Sequence, residues 1–211
     1  VGEEHVCALT DIGEIECFAN PSNSSSAALT NVPSGTFRKI SVGKNGSCGI
    51  RSDGSLDCWG TWDDSSYRPS ISEPFRDVAS GYYAHCAIDH SDQLYCWGMD
   101  SYGVASGASS RSSDAYTDIS LHERAACGIL TSGELDCWGD DAYVTDYIPT
   151  TGDFVEVAVG GGMACALDIH GQLTCWGNNY YGQLDGPAGD YCVEFVDLDG
   201  DGDLEIVVGN D

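Results

Sequence analysis

The feature that most constrains the fold of this chain is a cysteine pair that recurs five times with the same internal spacing. Nine residues separate the two members of every pair, and successive first cysteines are 41, 38, 41 and 38 residues apart. Self-similarity at such a period is typical of repeat architectures, in which each copy forms one supersecondary unit. The five pairs are Cys7 with Cys17, Cys48 with Cys58, Cys86 with Cys96, Cys127 with Cys137, and Cys165 with Cys175.

The residues between the two cysteines predict a β-hairpin in every repeat. One aliphatic residue lies two positions after the first cysteine, and another lies two positions before the second. The polar segment between them contains a glycine at four of five equivalent positions, and glycine readily takes the positive φ of a tight turn. This pattern places the two cysteines directly opposite each other. The turn positions are Gly13, Gly54, Asp92, Gly133 and Gly171.

Opposed cysteines in an antiparallel pair lie within disulfide range, so we predict five disulfides, one in each hairpin. Zinc binding is the alternative for a chain that contains both Cys and His. No Cys-x-x-Cys occurs and the five histidines are scattered, which favours the disulfides. Disulfides persist in oxidising compartments, so the expected location is secreted, extracellular or cell-surface.

A third strand is predicted upstream of four hairpins, beginning at Phe37, Phe75, Tyr116 and Phe154. A Trp-Gly pair follows the second cysteine in the same four repeats, and Phe18 stands at this place in the first. These aromatic residues are expected to pack between neighbouring repeats, with stacking on a ligand as the alternative. The tryptophans are Trp59, Trp97, Trp138 and Trp176.

Two segments carry a resemblance to a known repeat family. Gly2-EEHVCALTDIGEIECF and Gly160-GGMACALDIHGQLTCWGNNYYGQL resemble the regulator of chromosome condensation repeat, and the resemblance extends over residues 1–184. It implies an all-β chain, a β-propeller of about five blades built from repeats of 38–41 residues. The recurrent histidine of that family matches only His5, and nothing in the sequence supports nucleotide exchange on a small GTPase.

The composition limits the classes of partner. The chain has 34 acidic and 8 basic residues and a net charge of −26. Such a surface repels phosphates and anionic lipid, so we expect neither nucleic-acid binding nor membrane insertion. Val1 lies inside the first repeat, and the chain is therefore expected to be a mature product or part of a longer one.

The last twenty residues depart from the cysteine pattern, and the expected domains are a propeller over residues 1–191 and a tail over residues 192–211. Carboxylates at alternate positions of the tail can converge on a hard cation, and calcium is the predicted cofactor. A solvated acidic turn is the alternative. The tail resembles the calcium hairpin of integrin-type FG-GAP repeats, in which the predicted ligands are Asp197, Asp199, Asp201, Asp203 and Glu205.

The chain also ends on a strand pattern, since residues 206–209 match residues 157–160. The first hairpin lacks an upstream strand, so the terminal strand is predicted either to close the ring on its own chain or to link to a second molecule. Cys192 has no partner within the pattern, which makes it a candidate for an intermolecular bridge. Asn23 and Asn45 begin triplets of the N-glycosylation type.

We expect a non-enzymatic binding or adhesion module that recognises an extracellular protein or a glycan through its loops. A self-assembling, fibre-forming structural protein is the alternative, and an enzyme inhibitor or a glycosidase is less favoured. The loops contain no Ser-His-Asp arrangement, phosphate-binding loop or cluster of metal-ligating histidines. The candidate contact residues are Tyr82, Tyr83, Tyr102, Tyr143, Tyr147, Tyr180 and Tyr181.

Overall fold

A computed structural model describes residues 5–19, 31–44, 46–60, 74–111, 113–182, 184, 193–196 and 205–208. The chain divides into two units, Val1–Ala115 and Tyr116–Asp211. Both units are built from the same small antiparallel sheet, here called a blade. None of the helices in the described ranges is long and apolar enough to cross a membrane.

The first unit contains blades 1 to 3. Blade 1 has two strands, and blades 2 and 3 have three each, in the order first, second, third. Blade 3 is followed by the one-turn helix α1 (Val104–Gly107) and a short 3-10 helix (Ala108–Arg111). The strands are β1 (His5–Leu9), β2 (Ile15–Ala19), β3 (Phe37–Val42), β4 (Gly46–Arg51), β5 (Leu56–Gly60), β6 (Phe75–Ser80), β7 (Ala84–Asp89) and β8 (Leu94–Gly98).

The second unit contains blades 4 and 5 and a terminal hairpin. A one-turn helix, α2 (Ala142–Thr145), follows blade 4. The terminal strands pair with each other in antiparallel register. The strands are β9 (Tyr116–Leu121), β10 (Ala125–Leu130), β11 (Leu135–Gly139), β12 (Phe154–Val159), β13 (Met163–Asp168), β14 (Leu173–Gly177), β15 (Val193–Val196) and β16 (Glu205–Val208).

The register of every hairpin confirms the predicted disulfides. The two cysteines face each other in all five, with Cα atoms 4.0–4.1 Å apart. The two aliphatic residues form the next cross-strand pair, as Ile50 and Leu56 do in blade 2. The four predicted glycines take positive φ at the turn, and Asp92 takes the same conformation at φ 63°.

Neighbouring blades are joined by main-chain hydrogen bonds. In the first unit, Phe37 N donates to Gly13 O at 2.7 Å and Phe75 N donates to Gly54 O at 2.9 Å. The glycine carbonyl at the tip of one hairpin thus fixes the start of the first strand in the next blade. In the second unit, Phe154 N donates to the carbonyl of Gly133 at 2.9 Å.

Side chains of one blade also satisfy edge amides of the next. Ser80 N donates to Ser41 Oγ at 2.8 Å in the first unit. In the second unit, Val159 N donates to Ser120 Oγ at 3.0 Å and Val157 N to Asp118 Oδ2 at 2.8 Å. An exposed strand edge invites unwanted pairing, so these bonds both join the blades and protect their first strands.

The cores lie between blades. In the first unit, Trp97 of blade 3 belongs to the cluster that includes Cys48 and Ile50 of blade 2. In the second unit, Trp176 of blade 5 packs with Cys127 and Cys137 of blade 4. All four predicted tryptophans are buried, which confirms their assignment to the core.

One aromatic position differs from the sequence expectation, since Phe18, which the repeat pattern places between neighbouring repeats, is 62% exposed. The connections over residues 99–114 and 140–152 contain the one-turn helices, which are too short to produce a helical hydrophobic period. The strands that flank the predicted calcium segment, β15 and β16, pair with each other. This pairing does not test whether the terminal strand closes the ring or links to a second molecule, and both stay predictions. The predicted boundary at residues 191–192 lies outside the described residues and stays a prediction.

Candidate functional site

The second unit presents two turns with exposed tyrosines. Tyr180 and Tyr181 follow the third strand of blade 5 and are 82% and 70% exposed. Tyr143 lies on α2, which follows the third strand of blade 4, and Tyr147 lies just beyond it; both are exposed. We call this set of four side chains the tyrosine surface.

Asn178 and Asn179 shape the turn that carries Tyr180 and Tyr181. The side-chain oxygen of Asn178 accepts a hydrogen bond from Tyr180 N at 2.8 Å, and that of Asn179 accepts one from Leu184 N at 2.8 Å. Tyr180 and Tyr181 meet edge to face, with ring centroids 4.9 Å apart and an interplanar angle of 85°. The two exposed rings therefore contact each other on a turn whose backbone is hydrogen-bonded by Asn178 and Asn179.

Asp141 has the corresponding role for α2. Its Oδ1 atom accepts a hydrogen bond from Tyr143 N at 3.1 Å, which caps the start of the helix. The buried side of α2 is fixed by two contacts. Val144 is fully buried, and its carbonyl accepts a hydrogen bond from Trp176 Nε1 at 2.9 Å. A core tryptophan of blade 5 thus supports the segment that displays Tyr143.

The two turns begin beside the same glycine. A Cβ atom placed on Gly162 would lie 3.6 Å from Asn178 Cβ and 3.9 Å from Asp141 Oδ2. Asn178 N also donates to Gly162 O at 2.7 Å. The residues that cap Tyr143 and Tyr180 are therefore neighbours, which places both turns on one face of the second unit.

The remaining tyrosine candidates lie in the first unit and are half-buried. Tyr82 and Tyr83 contact each other edge to face at 5.9 Å between ring centroids. The Lys44 ammonium lies 4.4 Å from the centre of the Tyr82 ring, a cation–π contact within the chain. Tyr82, Tyr83 and Tyr102 are less accessible to a partner than the tyrosine surface.

The first unit also buries two histidines. His5 Nε2 lies 2.8 Å from Ser47 Oγ, and His85 Nδ1 lies 3.0 Å from Ser80 Oγ. Burial lowers the pKa of His85 from its ordinary value of 6.5 to about 4. His85 is therefore neutral at physiological pH, and its hydrogen-bonded, packed position is that of a structural group.

Two hairpin-turn carboxylates are stabilised in their charged form. The hydrogen bond from the Ser55 hydroxyl is the largest cause of a lowered pKa at Asp53. At Asp168 the main cause is the hydrogen bond from Gln172 N. Both carboxylates accept bonds from their own turns, so they define hairpin geometry and have no sign of a catalytic acid or base.

Several predicted site residues lie outside the described residues, namely Asn23, Asn45, Cys192, Asp197, Asp199, Asp201 and Asp203. Glu205 begins β16, and its backbone faces that of Val196. In the part of the chain that the structure describes, no three His, Cys, Asp or Glu side chains are grouped as a metal site. The calcium assignment thus stays a prediction.

The capping roles of Asp141 and Asn178 were not identified from the sequence. A signal was present, since an Asp or Asn two residues before a tyrosine is the arrangement of an Asx turn. Asp141-Ala-Tyr143 and Asn178-Asn-Tyr180 share it. Such short polar patterns are too common in loops to single out without a structure.

Comparison with protein families supports the repeat assignment. The regulator of chromosome condensation (RCC1) repeat matches residues 37–67, 75–104 and 154–183, which include blades 2, 3 and 5. None of the curated protein sequences matches the chain. Three of the five repeats therefore match the RCC1 repeat, over 91 of the 211 residues.

Solved structures of similar fold include two plant receptor ectodomains. The ectodomain of the Physcomitrella patens receptor kinase CR4 matches with a TM-score of 0.73 and 25% identity, over 90% of this chain and 55% of that one. The CRINKLY WD40 ectodomain of the Arabidopsis thaliana receptor kinase ACR4 matches with a TM-score of 0.63 and 22% identity, over 84% and 61%.

Prp20p from Saccharomyces cerevisiae, studied for its binding to Gsp1p and histones, has the same fold. It matches with a TM-score of 0.63 and 16% identity, over 99% of this chain and 62% of that one. The chain thus spans just over half the length of these structures. Together with the repeated sheets and the disulfide within each, these similarities confirm the predicted β-propeller fold class.

Proposed function

We propose that this array of RCC1 repeats is an extracellular, non-enzymatic binding module that recognises a protein partner through the tyrosine surface. The observation that carries the proposal is the pair Tyr180 and Tyr181, both exposed, on a turn in which Asn178 accepts a hydrogen bond from the Tyr180 amide. Tyrosine offers a large amphipathic contact area at low entropic cost, and preordered turns reduce the cost of binding further.

The extracellular setting is supported by the five disulfides and by the similarity to receptor ectodomains. A binding role is in keeping with Prp20p, a protein of the same fold with a solved complex with Kap60. Fold similarity at this identity carries no partner over to this chain.

The test is a binding screen of the full chain against secreted and cell-surface proteins, with a glycan array in parallel. A double variant, Tyr180→Ala with Tyr181→Ala, should weaken binding by about tenfold or more, the loss typical of removing central aromatic contacts. Ile169→Ala is the matched control, because Ile169 is an exposed apolar residue on the hairpin turn of blade 5. Equal binding by both variants would refute a role for the tyrosine surface.

Self-assembly is a second candidate, favoured by blade 1. The cross-strand pair that flanks the disulfide, Val6 with Phe18, is 41% and 62% exposed. The equivalent pair in blade 3, His85 with Trp97, is 3% and 4% exposed, and the other blades agree. Phe18 therefore presents the surface that elsewhere packs on a neighbouring blade.

The terminal strand adds to this candidate. β16 lies against β12 and β13 in the second unit, just as β12 lies against β9 and β10. It thus has the position of a first strand, an element that blade 1 does not show within the described residues. Light scattering across a concentration series tests assembly: a Phe18→Ser variant should abolish a multimer, and Tyr147→Ser, equally exposed, should not. A wild-type monomer at all concentrations would remove this candidate.

We also propose that the segment between β15 and β16 binds calcium through Asp197, Asp199, Asp201, Asp203 and Glu205. The flanking strands pair in antiparallel register, which suits a hairpin loop with alternate carboxylates. Calorimetric titration with calcium tests the site: Asp199→Asn with Asp201→Asn should abolish binding, whereas Asp185→Asn should not. Retained binding in the double variant would exclude the loop.

A further inference from the structure

The acidic charge is concentrated in the unit that carries the tyrosine surface. Residues 116–211 contain 19 acidic residues against one arginine, a formal charge of −18. The other seven basic residues all lie in residues 1–115. A field of one sign across a surface attracts oppositely charged partners and raises the rate of association.

The single arginine of this unit is already engaged. Arg124 Nε lies 2.8 Å from Asp140 Oδ1, in an ion pair beside the tyrosine surface. Asp146 lies between Tyr143 and Tyr147 on the same segment and is exposed. Aromatic rings and a carboxylate therefore alternate along one exposed segment, and the single arginine of this unit is held by its own partner.

This combination matches the requirements of a cationic side chain. A guanidinium or ammonium group is attracted to the face of a tyrosine ring and to nearby carboxylates at the same time. The first unit shows the contact within the chain itself, where the Lys44 ammonium lies 4.4 Å from the centre of the Tyr82 ring. In the second unit Arg124 is the single Lys or Arg residue, and it is paired with Asp140.

The acidic charge also distinguishes between two classes of ligand that exposed tyrosines bind, namely glycans and basic proteins. A neutral glycan would gain from stacking on Tyr180 and Tyr181 but nothing from the charge, and an acidic glycan would be repelled. Arginine gains from both, because its planar guanidinium stacks on aromatic faces and forms paired bonds with carboxylates. Lysine, a compact and strongly hydrated charge, gains less from stacking.

We propose that the tyrosine surface binds an arginine-rich segment of a protein partner, with Tyr180 and Tyr181 stacking on guanidinium groups and Asp146 supplying charge. The inference rests on the proposed function and names the chemistry of its partner. It requires no movement of the backbone, since Asn178 and Asp141 already order both turns.

The experiment uses the full chain and three labelled peptides of equal length, in which glycine alternates with arginine, lysine or citrulline. Citrulline keeps the shape of arginine and removes its charge. Fluorescence anisotropy should rank the affinities arginine, lysine, citrulline. Added salt should weaken binding of the arginine peptide, because exposed charges are screened.

Variants separate the site from the general charge of the chain. Tyr180→Ala with Tyr181→Ala should weaken binding of the arginine peptide about tenfold, as expected for the loss of two cation–π contacts. Asp146→Asn should weaken it by about twofold to threefold. Ile169→Ala should leave it unchanged, and so should Asp100→Asn, which removes one charge from the first unit.

Each of the remaining outcomes would overturn the proposal that the tyrosine surface binds arginine. An arginine peptide bound equally well by the double variant, but released by salt, would indicate diffuse electrostatic attraction and overturn the proposal. Equal affinity for the citrulline peptide would do the same. If a glycan or a non-basic protein bound instead, and bound through Tyr180 and Tyr181, the cationic partner would be refuted while the proposed function stood.

Discussion

The carbonyl of Gly54 accepts a hydrogen bond from the amide of Phe75 at 2.9 Å, and this bond links the hairpin tip of blade 2 to the first strand of blade 3. The glycine meets two requirements at once. Its φ is +86°, and a Cβ atom at this position would clash with Pro74 Cβ. Turn geometry and blade spacing therefore depend on the same residue.

Gly54→Ala should accordingly destabilise the protein more than Gly171→Ala. Both sites have positive φ, but a Cβ on Gly171 would meet nothing within 4 Å. The strained φ costs about 1 kcal/mol at either site, and the clash with Pro74 adds to it only at Gly54. Chemical denaturation of both variants measures the difference in the free energy of unfolding. Equal losses of unfolding free energy in the two variants would show that the contact with Pro74 does not restrict the residue at position 54.

The disulfides should contribute to stability individually. Replacing Cys127 and Cys137 by serine should lower the free energy of unfolding by about 2–3 kcal/mol, because the bridge restricts the unfolded chain. Cys192→Ser is the control, since it leaves all five pairs intact. Thermal denaturation of the variant and the wild type measures the loss of stability. Non-reducing peptide mapping of the wild type checks the pairing. A Cys127 fragment joined to any cysteine except Cys137 would contradict the structure.

The hydrogen bond from Trp176 to Val144 should support α2. Trp176→Phe loses both ring volume and the donor to the carbonyl, whereas Nε1 of Trp59 has no hydrogen-bond partner in the described ranges. Trp59→Phe therefore serves as the matched volume control. Trp176→Phe should cost about 1 kcal/mol more in unfolding free energy, the net value of one hydrogen bond. It should also increase amide hydrogen exchange in α2, and unchanged exchange there would count against the anchoring role.

The hairpins and the disulfides could be predicted from the sequence, because both depend on contacts close along the chain and repeat five times. Cys48 and Cys58 are an example, since the turn at Gly54 alone sets their register. The four buried tryptophans could be predicted because they recur at one position of the repeat. The tyrosine surface could be predicted only as a list of residues. Its geometry depends on contacts between segments distant in sequence, such as Trp176 with Val144 and Gly162 with Asp141.

The exposure of Phe18 also escaped prediction. Its position in the repeat is that of Trp59, which is 1% exposed, and the repeat pattern alone predicts a buried residue at both. What differs is the neighbouring blade, because packing of this aromatic residue is supplied by the preceding repeat and not by its own hairpin. The repeat pattern predicts an aromatic residue at this position of every blade. Only the structure shows which of these residues packs against a neighbouring blade.

Stability should vary with pH through His85. Because burial lowers its pKa from 6.5 to about 4, the native state binds no proton between these values, whereas the unfolded state does. The free energy of unfolding should therefore be insensitive to this group above pH 6.5. It should fall as the pH decreases from 6.5 to about 4, by an amount on the order of 3 kcal/mol.

His85→Asn should remove this component, because asparagine can still reach Ser80 but does not titrate. The measurement is the free energy of unfolding of the wild type and the variant at several pH values, with the difference between the two curves as the signal. Carboxylates affect both proteins equally and cancel. Ile169→Ala, at an exposed apolar residue, should follow the wild-type curve. If the His85→Asn curve ran parallel to the wild type from pH 6.5 to 4, the native protein would have to accommodate a charged His85, and the buried contact with Ser80 would not exclude water.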